Sequence, residues 1–154
     1  MNAAQIHLML NHVPVIGVII ATLLLAVGLV MRSRDVMRVS LGLLVLVALS
    51  GVVVYLTGEP VEHMLRRQPG VDHEMLEAHE HFSEPATMVL GLVGLVSLVG
   101  LIRYWRAERV SRGFAIFTLV LAIIACGMMG WTAHLGGLIR HEELRGTTAL
   151  QQAP

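Results

Sequence analysis

Four apolar runs leave this chain few ways to fold. Leu8–Met31 is 24 residues long with only Asn11, His12 and Thr22 as polar interruptions, Val39–Thr57 is 19, Pro85–Ile102 is 18 and Phe114–Leu135 is 22. A helix that crosses a bilayer needs about 20 mostly apolar residues. The expectation is an all-α, up-down four-transmembrane-helix bundle that forms a single integral domain over residues 1–154. Its spans are expected at about 8–31, 39–57, 85–102 and 114–135, with an extra helical segment at about 71–84. Composition agrees: 55% of residues are hydrophobic and 14% charged, against about one quarter charged in a soluble domain. The opening residues, MNAAQI, carry no basic side chain, and no small-residue cleavage site follows, so the first span is expected to remain.

All eleven basic residues are arginine, and seven of them fall in two short loops. Arg32, Arg34 and Arg38 follow the first span; Arg103, Arg106, Arg109 and Arg112 follow the third. Positive loops stay in the cytoplasm. Both termini and the 58–84 loop are therefore expected on the periplasmic side of a bacterial inner membrane. That side collects nine of the eleven acidic residues and all eight histidines.

Within the third span, Gly91, Gly94, Ser97 and Gly100 recur every three residues, a ridge of small side chains suited to close helix contact. Gly17 and Gly28 suit the same use in the first span. Gly127, Gly130, Gly136 and Gly137 suit either packing or room for a flat cofactor. Thr57 and Gly58 are expected to end the second helix, with Pro60 starting a short continuation. RRQPG is a turn signal, Asp72 an N-cap, and Pro85 a bend or break. The fourth helix is expected to run past the membrane through HLGGLIRHEE, a continuation that its two glycines weaken. Cys126, the one cysteine, has no intramolecular partner and reads as a packing residue. No internal repeat is expected.

Ionisable residues inside a span mark function. His12 lies more than one turn into the first apolar run, and His134 near the outer end of the fourth. His134 and His141 are seven apart, on one helical face and about 10 Å apart in height. His7 and His12 are five apart and point about 140° apart. In HEMLEAHEHF, His73, Glu74, Glu77, His79, Glu80 and His81 place imidazoles beside carboxylates without the HExxH spacing or the Glu-x-x-His pair of di-iron bundles. Imidazole suits zinc, copper, iron and nickel, and also ligates haem iron. Arg140 is placed to pair with a haem propionate, with Glu142 or with a lipid phosphate.

HLMLNHVP, the TG after the second helix, EAHE before the third and LGGLIRH after the fourth resemble a bacterial family of four-span membrane proteins known as a domain of unknown function. The resemblance covers nearly the whole chain. Its recurring histidines correspond to His7, His12, His79 and His141, and include His134 less clearly. Relatives often carry another residue before the paired glycines. The plan is also similar to that of membrane b-type cytochromes, in which imidazoles from facing helices clamp haem iron.

The first expectation is therefore a haem b-binding electron carrier near the periplasmic face. One or two haems would take axial ligands from His7, His12, His79 and His141, with Asn11 orienting a ligand ring. Quinol or a membrane oxidoreductase would donate to a periplasmic acceptor, with the chain alone, as a homodimer or as a subunit of a membrane complex. An alternative is a copper, zinc or iron ion held by the same histidines with Glu77 and Glu80. Others are a cofactor-free anchor and a proton relay through His12 and His134. No nucleophile–base pair, phosphate loop or nucleic-acid footprint is present: net charge is zero and the basic residues sit in two loops.

Overall fold

A computed structural model describes residues 3–106 and 110–139. It contains five helices: α1 Ala3–Leu10, α2 His12–Met31, α3 Arg34–Leu65, α4 His73–Trp105 and α5 Arg112–Leu138. α1 and α2 form one nearly continuous rod, because the Asn11 N–H still bonds the His7 carbonyl at 2.8 Å. The rod and the three other helices give four segments long and apolar enough to cross a membrane. Their outer surfaces carry bare leucines and valines such as Leu23 at 61%, Val30 at 84% and Leu95 at 64% exposed. An aqueous surface rarely tolerates so continuous an apolar skin, whereas lipid does.

Each helix presents one seam to the centre. On the α1–α2 rod it is His7, Asn11, Pro14, Val18, Ala21, Leu25 and Gly28. On α4 it runs Leu76, His79, Ser83, Ala86, Leu90, Val93, Ser97, Gly100. The α3 and α5 seams keep the same alternation of three and four residues, through Gly51, Val54 and Gly58 and through Met129, Thr132 and Gly136. That alternation is the 3.5-residue period of helices packed at a shallow angle. α2 touches α3 and α5, and α4 touches α3 and α5, so the bundle closes as an up-down ring.

Close approach is purchased with small residues. A Cβ on Gly94 would collide with Ala48 Cβ, and one on Gly17 would meet Val47 Cγ2 at 2.7 Å. Gly100 wedges between Phe114 and Leu41, whereas Gly91 faces open space, so the small-residue ridge turns away from α3 at that end. Gly127, Gly130 and Gly137 also face open space.

Helix starts follow the cap signals. Ser33, Asp72 and Ser111 accept from the N–H groups of Val36, Met75 and Phe114, satisfying donors the first turn leaves free. The helices outrun the sequence expectation. α3 does not stop at Thr57 and Gly58 but continues through Pro60 to Leu65, and α4 passes Pro85 without a break. α5 carries both glycines at 136 and 137, as far as the expected continuation lies within the described residues. At 1.5 Å per residue α3 and α4 are each about 50 Å long, beyond a hydrocarbon layer of about 30 Å. Neighbours on the bundle hold the projecting turns: Asp72 N–H bonds the Ile139 carbonyl at 3.3 Å.

Candidate functional site

At the end of the bundle where α1 begins, the seams change character. Leucine, valine and alanine give way to His7 and Asn11 on the rod, Gly58 on α3, His79 and Ser83 on α4, and Thr132 and Gly136 on α5. Both histidines occupy positions that a core side chain would fill.

The two imidazoles are pinned in the same way. His7 Nδ1 lies 3.0 Å from the Val54 carbonyl, and His79 Nδ1 lies 2.9 Å from the Thr132 carbonyl. A carbonyl oxygen only accepts, so each Nδ1 carries a proton, and in the neutral tautomer it is Nε2 that offers the lone pair. Thr57 Oγ1 lies 3.4 Å from His7 Nδ1 as a further contact. In both cases the accepting carbonyl lies four residues before a glycine. A Cβ on Gly58 would stand 3.6 Å from His7 Cε1, and one on Gly136 would stand 3.2 Å from His79 Cε1. A helical side chain leans back over the preceding turn, so Gly136 bares the Thr132 carbonyl for its ring, while at Gly58 a Cβ would make only ordinary contact with His7. His7 and His79 lie within electrostatic reach of one another.

The neighbouring hydroxyls have committed their protons to their own helices. Thr57 donates to Val53 and Val54, Ser83 to Glu80 and Thr132 to Met128. Asn11 caps nothing with its side chain, and its buried Oδ1 has no hydrogen-bond partner among the described residues.

Other expected residues lie elsewhere. His12 is exposed on the far side of the rod from His7, as a separation of five residues dictates. His134 is exposed on α5 and packs against Trp131, ring centroids 5.4 Å apart. His73, His63 and His81 are exposed. Glu77 and Glu80 turn from the imidazole pair towards Arg66, which bonds them at 3.4 and 2.7 Å. Those carboxylates, Glu80 foremost, hold the Arg66 pKa above its usual value. The Glu62 carboxyl meets that of Glu80 from α3. Among the described residues, no three histidine, cysteine or acidic side chains are grouped to hold a bare metal ion. His141 and Arg140 lie outside the described residues.

Comparison with family models, curated proteins and solved structures finds no match.

The sequence reading singled out His79 and Asn11 but gave His7 no more weight than His12, and it missed Val54, Gly58 and Thr132. The signal was present in the register: His7 continues the rod's three-and-four alternation and His12 does not.

Proposed function

We propose that this chain is a haem b-binding membrane protein that carries single electrons, with His7 and His79 as the imidazoles poised to ligate. The supporting observation is that both rings are held by Nδ1–H on a backbone carbonyl, which fixes the tautomer and orientation that a ligating Nε2 needs. The residues fit the group. Porphyrin supplies four of iron's donors, so two imidazoles complete it, whereas a bare ion usually takes three or four protein ligands. Gly58 and Gly136 seat the two rings against their helices, His7 against α3 and His79 against α5. When bound there, haem would supply one-electron redox chemistry. The protein's part is to orient the rings, keep their Nδ1 protonated and surround them with an apolar bundle.

The arginine-rich loops favour a bacterial inner membrane with the histidine end towards the periplasm. Quinol or a membrane oxidoreductase would then be the donor and a periplasmic protein the acceptor, in a homodimer or a larger membrane complex. The mixed-ligand copper, zinc or iron reading needs Glu77 and Glu80, and these are already engaged by Arg66.

The test is a dithionite-reduced minus air-oxidised spectrum of detergent-purified protein expressed with haem supply. A sharp α band that disappears in His7→Ala and His79→Ala, and survives in His12→Ala and Glu77→Gln, is the expected result. A flat spectrum from wild-type protein would sink the reading. Metal found by elemental analysis and lost in Glu77→Gln would replace it with the mixed-ligand site.

A further inference from the structure

The chain is a tandem of two helical hairpins, which residue identity conceals. A shift of 72 residues lays His7 on His79 and the Val27-Gly28-Leu29 triplet on Val99-Gly100-Leu101. Each of the six buried residues of α2, from Pro14 to Gly28, then falls on a buried residue of α4, from Ala86 to Gly100. A shift of 78 lays Ser33-Arg34 on Ser111-Arg112 and Gly58 on Gly136. It also lays buried Ser40, Leu44, Val47 and Gly51 on buried Thr118, Ala122, Ala125 and Met129. The six-residue difference between the shifts falls after the matched Gly28 and Gly100: α4 runs two residues past the counterpart of Met31, and Trp105 and Arg112 are four residues further apart in sequence than Met31 and Arg34.

The interactions repeat with the residues. Ser33 and Ser111 both cap three residues ahead. The His7–Val54 bond maps onto the His79–Thr132 bond at the same two shifts. Exchanging α2 with α4 and α3 with α5 maps the helix contacts onto themselves, as a two-fold axis along the bundle requires. The other intramembrane histidines fall outside the repeat: His12 maps onto exposed Glu84, and His134 onto exposed Leu56.

We infer that one ligand sits on this pseudo-two-fold axis, between the histidine-bearing ends of the hairpins, and takes one imidazole from each. His7 and His79 would hold it, and neither hairpin would form the site alone. This rests on the haem reading and deepens it. An iron porphyrin with two open axial positions matches a duplicated donor, and a duplicated donor has no use for a second pair. The two ligands are therefore equivalent.

The experiment uses the full chain loaded with haem. Haem per chain is measured as the pyridine haemochrome, and the low-spin iron by electron paramagnetic resonance. One haem per chain is expected, with a bis-imidazole signal that His7→Met and His79→Met both convert and His12→Met leaves unchanged. Should the methionine variants lose haem, external imidazole is added to His7→Gly and His79→Gly. Recovery of the low-spin signal in both supports the pairing and shows that the fold survived; recovery in one or neither overturns it. Two haems per chain, or a signal sensitive to only one of the two histidines, would overturn the pairing and leave the haem reading standing. No haem in the wild-type protein would remove both.

Discussion

At the scale of single residues, a glycine four positions beyond a carbonyl does as much as the histidine that uses it. Gly136 bares the Thr132 carbonyl, and the ring of His79 occupies the space a side chain would take. Gly136→Val should push the imidazole off its 2.9 Å bond. Loss of such an orienting partner typically weakens metal binding about 10- to 100-fold, so haem retention measured by competitive transfer to apomyoglobin should fall in that range. Gly137→Val, which meets open space, is the control. An equal loss in both variants would mean that helix propensity, not the ring's seat, is responsible. Asn11 makes the opposite case. Its buried Oδ1 finds no partner among the described residues, and an unmet buried polar group costs about 1–3 kcal/mol. Asn11→Leu on this seam should therefore stabilise the cofactor-free protein by about 1 kcal/mol or more in a denaturant titration in detergent. A clear destabilisation would show that the amide is satisfied without a ligand.

At the scale of elements, what holds a helix together past its apolar run is the neighbouring helix. Pro60 removes a backbone donor, and α3 nonetheless reaches Leu65, with Val61 buried and Arg66 tied to α4 through Glu77 and Glu80. Asp72 starts α4 with a side-chain bond to the Met75 N–H at 3.1 Å. Removing a cap of this kind costs about 1 kcal/mol. Asp72→Ala should lower stability by about that much, with hydrogen exchange accelerated over 73–80 and unchanged in α2; uniform acceleration would argue against a local cap. The four long apolar helices were legible in the sequence, because hydropathy reports position along a helix axis. It does not report direction around that axis. Hence His12, deep in its run, looked as informative as His7, and only packing turned His7 inward and His12 out. The stop read at Thr57-Gly58 failed, and Pro85 does not break α4, for the same reason: propensity is local, while tertiary contacts carried both helices on. The repeat stayed hidden because membrane cores accept leucine, valine, alanine and glycine interchangeably, so burial pattern is kept while identity drifts.

At the scale of the whole molecule, the two ends of the bundle differ in charge and in chemistry. Arg32, Arg34, Arg38, Arg103, Arg106 and Arg112 lie at one end, in or beside the α2–α3 and α4–α5 connections, while the imidazole pair and most of the described carboxylates lie at the other. Arginine beside a span resists translocation, whereas acidic residues contribute little to orientation. The arginine end should therefore face the cytoplasm. The pseudo-two-fold repeat reinforces this, because each hairpin has its own arginine-bearing connection and both connections lie at the same end, so the two hairpins prefer one orientation rather than opposing each other. The expectation is read with single cysteines in a Cys126→Ala background. Arg67→Cys, in the exposed turn between α3 and α4, should react with a membrane-impermeant maleimide in intact cells. Asp35→Cys, beside the first arginine loop, should react only after the membrane is permeabilised. The outcome decides which compartment an electron acceptor must occupy. With Arg67→Cys labelled from outside, the imidazole end would open towards the periplasm, and on the proposed reading the acidic rim there would favour a basic acceptor. With the labelling reversed, the same site would open towards the cytoplasm, and a periplasmic acceptor would be ruled out whatever the site binds.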